Sequence, residues 1–308
     1  MRKNLTKKLF LSVLTLAFAV ISLGASTYAW FTLSRNAEVK EFEATVQIGS
    51  GLQIQAVAKD GAEDVDAWQT ASLTIADNLL EGIVLAACTP GTGEKFTDAI
   101  TGSEVKGIHD ELVGNETAGY VCFDLLFKLT DKNDTKNYNL YFNNYTFATD
   151  ATATSHPWTV DKAYADKELG DEVFYSVVDA ARLRVASKEK QGEDFVIVSN
   201  GSVIYEAPDT GDGEYTSGYG NGNNDALEYF NAVNPTNQKT APTELTGLKN
   251  AVDKTTDPNG QKLHTITGGQ VYRVTICVWI EGWDGECINA IFKQNLKTTL
   301  SFYLSDAQ

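Results

Sequence analysis

Histidine, methionine and proline are scarce: three, one and six residues in a chain of 308. His109, His156 and His264 lie far apart, which excludes a helix presenting His-Glu-x-x-His to zinc. There is no Gly-x-Ser-x-Gly nucleophile elbow and no Gly-x-x-x-x-Gly-Lys-Ser/Thr phosphate loop. A serine triad gathered from distant positions would leave no trace in one sequence, but nothing points to one. The chain reads as a non-enzyme with no cofactor. Basic residues are also few, 25 against 41 acidic ones, for a formal charge of −16. Such a surface repels phosphate backbones and anionic lipid, so nucleic acid is excluded as a partner class. The acidity serves solubility first, and cation attraction or charge-tuned association second.

Aromatics and glycines are plentiful, with 14 Phe, 13 Tyr and 25 Gly. They suit strands and turns better than long helices. At 43% hydrophobic, the chain is long enough to bury one large β core or two smaller ones.

The first 29 residues have the organisation of an export signal. Arg2, Lys3, Lys7 and Lys8 form a basic head, Leu9 to Leu23 an apolar run, and Thr27 and Ala29 supply the small residues of a cleavage site. Cleavage after Ala29 leaves Trp30 as the first residue. It removes four positive charges and takes the net charge from −16 to −20. Leu9 to Phe31 is also long enough to stay in the membrane as an uncleaved anchor. A type IV pilin leader is the weaker alternative, because no glycine separates the basic head from the apolar run. Membrane contact is expected only through this segment, and the mature chain is expected outside the cell.

Cys88, Cys122, Cys277 and Cys287 are an even number in an exported chain, which permits two disulfides in any of three connectivities. No pair has Cys-x-x-Cys spacing. Cys122 and Cys277 sit in strand-like runs, as buried thiols or a cross-strand bridge. Cys88 and Cys287 sit in turn-like sequence, where a loop staple is easier to build, and this slightly favours the pairing Cys88–Cys287.

Alternation marks the strands. Phe42, Ala44, Val46 and Ile48 share one face, Gly49-Ser50-Gly51 turns the chain, and Leu52 to Ala58 alternates again, which together predict a hairpin. Shorter strands are expected at 71–76 and 83–87, and a long surface excursion over 89–118. Val121, Phe123, Leu125, Phe127 and Leu129 share a face within 120–129, and 138–148 is a half-exposed strand. Runs at 172–186, 195–198 and 202–205 follow, with Asn200-Gly201 predicting a hairpin turn between the last two. Residues 206–265 break the rhythm and read as a polar insertion with short helices over 225–233 and 243–252. Strands return at 271–280 and 298–304. About ten short strands without βαβ alternation predict an all-β fold, an antiparallel sandwich or jelly roll. The domain plan is a signal peptide over 1–29 and a single β domain over 30–308.

Two acidic loops raise the question of a hard cation such as calcium. Asp209, Asp212, Glu214 and Asp225 lie in glycine-rich sequence, but their spacing fits neither an EF-hand nor a nonapeptide repeat, and a solvated loop explains them as well. In Glu281-Gly282-Trp283-Asp284-Gly285-Glu286, Asp284 with Gly285 builds a turn while Trp283 covers a sheet end, a structural role set against metal binding. Tyr205, Tyr215, Tyr219, Tyr229 and Phe230 give the insertion the composition of a recognition loop, or of a loose loop with anchoring rings.

Thr27-Tyr28-Ala29-Trp30-Phe31-Thr32 resembles the cleavage region of Gram-positive proteins processed by the SipW-type signal peptidase, the TasA and camelysin family. Val278 to Cys287 resembles a Trp-x-Glu-Gly-x-Asp-x-x-Cys signature of exported proteins carrying such signals. The likeness covers roughly the first 35 and the last 40 residues. It implies a jelly-roll or Ig-like sandwich and a role in biofilm-matrix fibres or at the cell surface. Subunits of the fibre formers join when an N-terminal strand freed by cleavage completes a neighbour's sheet. Here Trp30, Phe31 and Leu33 are the candidate assembly residues, unless they pack onto their own domain. Camelysin is described as a metalloprotease, and this chain offers no matching zinc-ligand set. The expected function is a secreted surface or matrix protein that self-associates. The alternatives are a monomeric glycan-binding module using residues 206–230 and a hydrolase with an unrecognised site.

Overall fold

Residues 42–48, 51–70, 72–75, 85–91, 95–98, 102–107, 119–207, 225–240, 248–249, 251–255, 257–291 and 294–307 are those the computed structural model describes. The leader, Ala29, Trp30, Phe31 and Leu33 lie outside them, as do Asp209, Asp212 and Glu214. Every described residue belongs to the unit formed by residues 37–308.

The fold is all-β. A five-stranded sheet, here sheet 1, holds β1 (Phe42–Ile48), β3 (Leu73–Thr74), β8 (Tyr138–Ala148), β13 (Gln261–Ile266) and β15 (Leu296–Asp306). Its order is β13-β8-β15-β1-β3. Sheet 2 is built around β14 (Tyr272–Glu281). On one side of it lie β11 (Ala181–Gln191) and β12 (Asp194–Glu206), and on the other β7 (Tyr120–Leu129) and β2 (Leu52–Ala58). A short extension of β4 (Ala87–Pro90), β5 (Phe96–Asp98) and β6 (Glu104–Val105) joins the far end of β14. A separate two-stranded ribbon pairs β9 (Trp158–Thr159) with β10 (Glu172–Val173). The described helices are α1 (Val177–Ala180), α2 (Asp225–Val233) and one 3-10 turn at Asn289–Ile291.

The sheets meet through aromatic rings. Phe127 of β7 lies 4.8 Å from Phe302 of β15, Phe142 of β8 lies 5.3 Å from Tyr205 of β12, and Tyr145 lies 5.0 Å from the same Tyr205. Burying such rings against one another is the main favourable term available to a fold with so little helix. The Tyr145 hydroxyl donates to the carbonyl of Glu206 across the interface, so the polar end of a buried ring is satisfied.

Several expectations are corrected. β1 and β2 do not form a hairpin. β1 pairs with β15 and β3 while β2 pairs with β7, so the chain passes from sheet 1 to sheet 2 between Ile48 and Leu52. Two apolar-faced strands joined by a short turn can cover a core from opposite sides as readily as they can pair. Not all pairing is antiparallel either, because β1 runs parallel to β15 over seven residues and β4 runs parallel to the end of β14. Asn200-Gly201 is not a hairpin turn: β12 is one continuous strand, and its register against β11 shifts between Ala186 and Lys188. The hairpin turns instead near Gly192, whose φ is +69°. Gly201 marks the irregularity, and a Cβ there would lie 2.2 Å from a Val198 methyl.

The excursion at 89–118 contains β5 and β6 and buries Phe96 completely. The insertion is shorter than its sequence suggests, because β13 at 261–266 belongs to sheet 1. Its first helix forms over 225–233 as expected. Among the described residues of 243–252 none is helical, and Lys249 bridges to Tyr205 instead.

Candidate functional site

Strand alternation gives sheet 2 two different faces. Val121, Phe123, Leu125 and Phe127 of β7 point toward sheet 1, as do Val274, Ile276 and Val278 of β14. The opposite face carries Cys122 and Asp124 of β7, Arg273, Thr275, Cys277, Trp279 and Glu281 of β14, and Arg182, Arg184 and Lys188 of β11. All of these are buried. The register sets them in rows: Glu206–Arg182–Trp279, Arg184–Cys277–Cys122, Ala186–Thr275–Asp124 and Lys188–Arg273–Leu126. Sheet 2 therefore buries a charged layer on the side away from the apolar core.

At one end of this layer lies the acidic turn after β14. The Arg182 guanidinium donates to Asp284 at 2.6 Å and stands 3.7 Å from Glu206. The Trp279 indole donates to Glu281 at 3.1 Å, and the Trp283 backbone N–H donates to its other carboxylate oxygen at 3.3 Å. Burial pushes the Glu281 carboxyl up to about 7, against the pull of Arg182 and of these hydrogen bonds. Phe96 stacks on Tyr120 at 4.1 Å and meets Trp279 edge-on at 5.0 Å, closing this end from solvent. Asp284 was one of the metal candidates, and its carboxylate is taken by Arg182. No group of three or more His, Cys, Asp or Glu side chains among the described residues has the geometry to hold a metal ion.

All four cysteines lie near this end, but the favoured pairing Cys88–Cys287 is not the one formed. The disulfide joins Cys122 to Cys277. They are directly opposite in the β7–β14 register with Cα atoms 4.2 Å apart, which brings the two side chains together without any loop having to bend. Cys88 and Cys287 are free thiols. The Cys88 thiol donates to the Gly119 carbonyl at 3.3 Å. Burial, reinforced by neighbouring acids, raises both thiols well above their ordinary range, which keeps them protonated and unreactive.

Farther along the layer, Asp124 gathers three donors. Thr275 gives its hydroxyl at 2.5 Å, the Asp60 backbone N–H lies at 2.6 Å, and Arg273 pairs with the same carboxylate. Arg273 also donates to the Gly61 carbonyl at 2.6 Å, and Lys188 reaches Asp60 at 3.1 Å. Here the layer opens into a cleft of about 1000 Å³ between the tip of the β11–β12 hairpin, β13 and the turn before β14. The His264 imidazole donates from Nε2 to the Arg273 carbonyl at 3.0 Å, and burial lowers its pKa, so it stands neutral at pH 7.

The second place of interest is the edge of sheet 1. β1 is hydrogen-bonded to β15 along its whole length, while on its other side only Thr45 and Val46 pair with β3 among the described residues. Sequence reasoning missed the charged layer. The available signal was a charge inside a strongly apolar strand, such as Asp124 in Tyr-Val-Cys-Phe-Asp-Leu-Leu-Phe. Tyr229 and Phe230 of the expected recognition loop are buried in α2, and the Tyr229 hydroxyl donates to Asp161 at 2.9 Å, so they anchor the insertion. No family model, no curated protein and no solved structure matches the chain.

Proposed function

We propose that this chain is an exported structural protein of the cell surface or extracellular matrix, a member of the TasA and camelysin family, that self-associates by strand addition. Its two facing sheets are read as a jelly-roll or Ig-like sandwich. The buried Cys122–Cys277 bridge fits an oxidising compartment, as does the signal-like leader.

The observation that carries the reading is the placement of β1. Three residues separate it from the segment Trp30 to Glu38, and the edge it presents away from β15 is paired at only two described residues. A strand edge with unsatisfied N–H and C=O groups is a template for an added strand, and an apolar segment with Trp30, Phe31 and Leu33 on it supplies anchors as well as hydrogen bonds. Donation of residues 30–38 from one copy to the β1 edge of sheet 1 in the next would repeat head to tail and cover that edge in every copy inside a filament.

The test is electron microscopy of protein beginning at Trp30, beside protein beginning at Val39. Filaments from the first and monomers from the second are the expected result. Monomers from both would end the strand-addition reading, and filaments from both would move the contact elsewhere on the molecule.

A further inference from the structure

Cations collect in the cleft of a chain that is otherwise strongly acidic. Lys188 and Arg273 stand directly opposite each other on adjacent antiparallel strands, where like charges are destabilising. Lys190 follows Lys188 on the same face. Its cross-strand neighbour is Phe195, and the Arg273 guanidinium lies 4.0 Å from the centroid of that ring. Lys262 comes in from the β13 wall.

Asp60 and Asp124 answer Lys188 and Arg273. Glu63 lies 3.8 Å from Lys128 and accepts from the Trp68 indole at 3.0 Å. Glu189 is the remaining acid of the lining. Lys190 and Lys262 form no salt bridge with any described residue, although Lys262 is near enough to Asp257 to help lower that carboxyl. The Arg273 Nε is buried without a hydrogen-bond partner, as are the Nε atoms of Arg182 and Arg184 elsewhere in the charged layer.

The walls are mixed. Phe195, Leu263 and Val271 are apolar, and Val271 is 42% exposed, while Thr265 and Gln270 add hydroxyl and amide groups. Flat apolar patches beside hydroxyl and amide partners suit sugar rings, which present C–H faces and hydroxyl edges. The volume admits several rings where an inorganic anion would leave the cleft nearly empty.

We propose that this cleft binds an acidic oligosaccharide, its carboxylates held between Lys190 and Lys262 over the Arg273–Phe195 stack and its rings laid on Val271 and Phe195. The site lies on β13, at the opposite side of sheet 1 from the β1 edge, so this proposal stands or falls independently of filament formation.

Titration calorimetry of the full chain tests it with oligogalacturonate, its methyl ester, polyglutamate and inorganic phosphate. Oligogalacturonate should bind with an affinity that falls as salt rises, and neither the neutral ester nor phosphate should match it. Lys190→Glu with Lys262→Glu, both at exposed positions, should weaken binding by about tenfold or more with an unchanged melting temperature. Absence of oligogalacturonate binding, equal binding of the ester, or indifference to the double substitution would overturn the site. Polyglutamate binding as well as the saccharide would overturn the ligand class.

Discussion

The two faces of sheet 2 come from the same strands and are built on opposite principles. The face toward sheet 1 is packed with Val121, Phe123, Leu125, Phe127, Val274 and Ile276, where any apolar side chain of the right volume serves. The face away from it buries Asp124, Arg182, Arg184, Lys188, Arg273 and Glu281, where each charge must find its partner. Apolar burial supplies stability. A buried ionic layer is a weak source of stability but punishes mispairing, because a register slip of one residue would move every charge into the apolar core. The layer thus helps fix which strands pair and where, at the point where the disulfide and the cleft also sit.

The largest expected effects come from substitutions three residues apart on β7, one on each face. Phe127→Ala opens a cavity against Phe302 and should cost about 3–5 kcal/mol in urea denaturation. Asp124→Ala should cost a similar 3–5 kcal/mol or so, for a different reason, since it strands Arg273 without its anion. The comparison is sharpened by Asp124→Leu with Arg273→Met, which removes both charges and should cost less than Asp124→Ala alone. If the double substitution proves the more damaging, the charged layer contributes stability directly.

Removing the bridge with Cys122→Ala and Cys277→Ala should cost about 2–5 kcal/mol, read from the shift in thermal unfolding, because it spans 155 residues of chain. The same change at Cys88 and Cys287 removes only free thiols, so thermal unfolding of that variant should still shift down on adding reducing agent, whereas the bridgeless variant should not respond.

Glu281 gives the charged face a pH signature. Its carboxyl is raised from 4.5 to about 7, so between those values the folded protein holds a proton that the unfolded chain has released. Its contribution is therefore full below about pH 4.5 and is lost as pH rises through 7, up to about 3 kcal/mol in all. Glu281→Gln should flatten the fall in melting temperature between about pH 4.5 and 7. A profile as steep as the parent's would place the titration elsewhere. The smallest effect belongs to the exposed pair Lys95–Glu104, where Lys95→Ala should change stability by less than about 1 kcal/mol.

Much of the strand content was legible, because alternation was strong where one face or both had to be apolar. The limits of β2 and β7 match their sequence patterns residue for residue, and α2 forms over the nine residues from Asp225 to Val233. What alternation does not carry is partner choice. The Gly-rich turn after β1 reads the same whether the next strand pairs with it or crosses to the other sheet. Asn200-Gly201 likewise satisfies a hairpin turn or a bulge, and only the partner strand β11 decides. The disulfide followed from the register of β7 against β14, a contact between residues 155 apart that local sequence does not encode. The charged layer was hidden because an isolated Asp or Arg in a strand usually marks its solvent side.

Intact-mass analysis with thiol labelling of the protein made by its native host tests the account most directly. Export with bridge formation predicts a chain beginning at Trp30, recovered outside the cell, with two of its four cysteines labelled in denaturant before reduction and all four after. A cytosolic chain that keeps Met1 and labels at four cysteines from the start would contradict it.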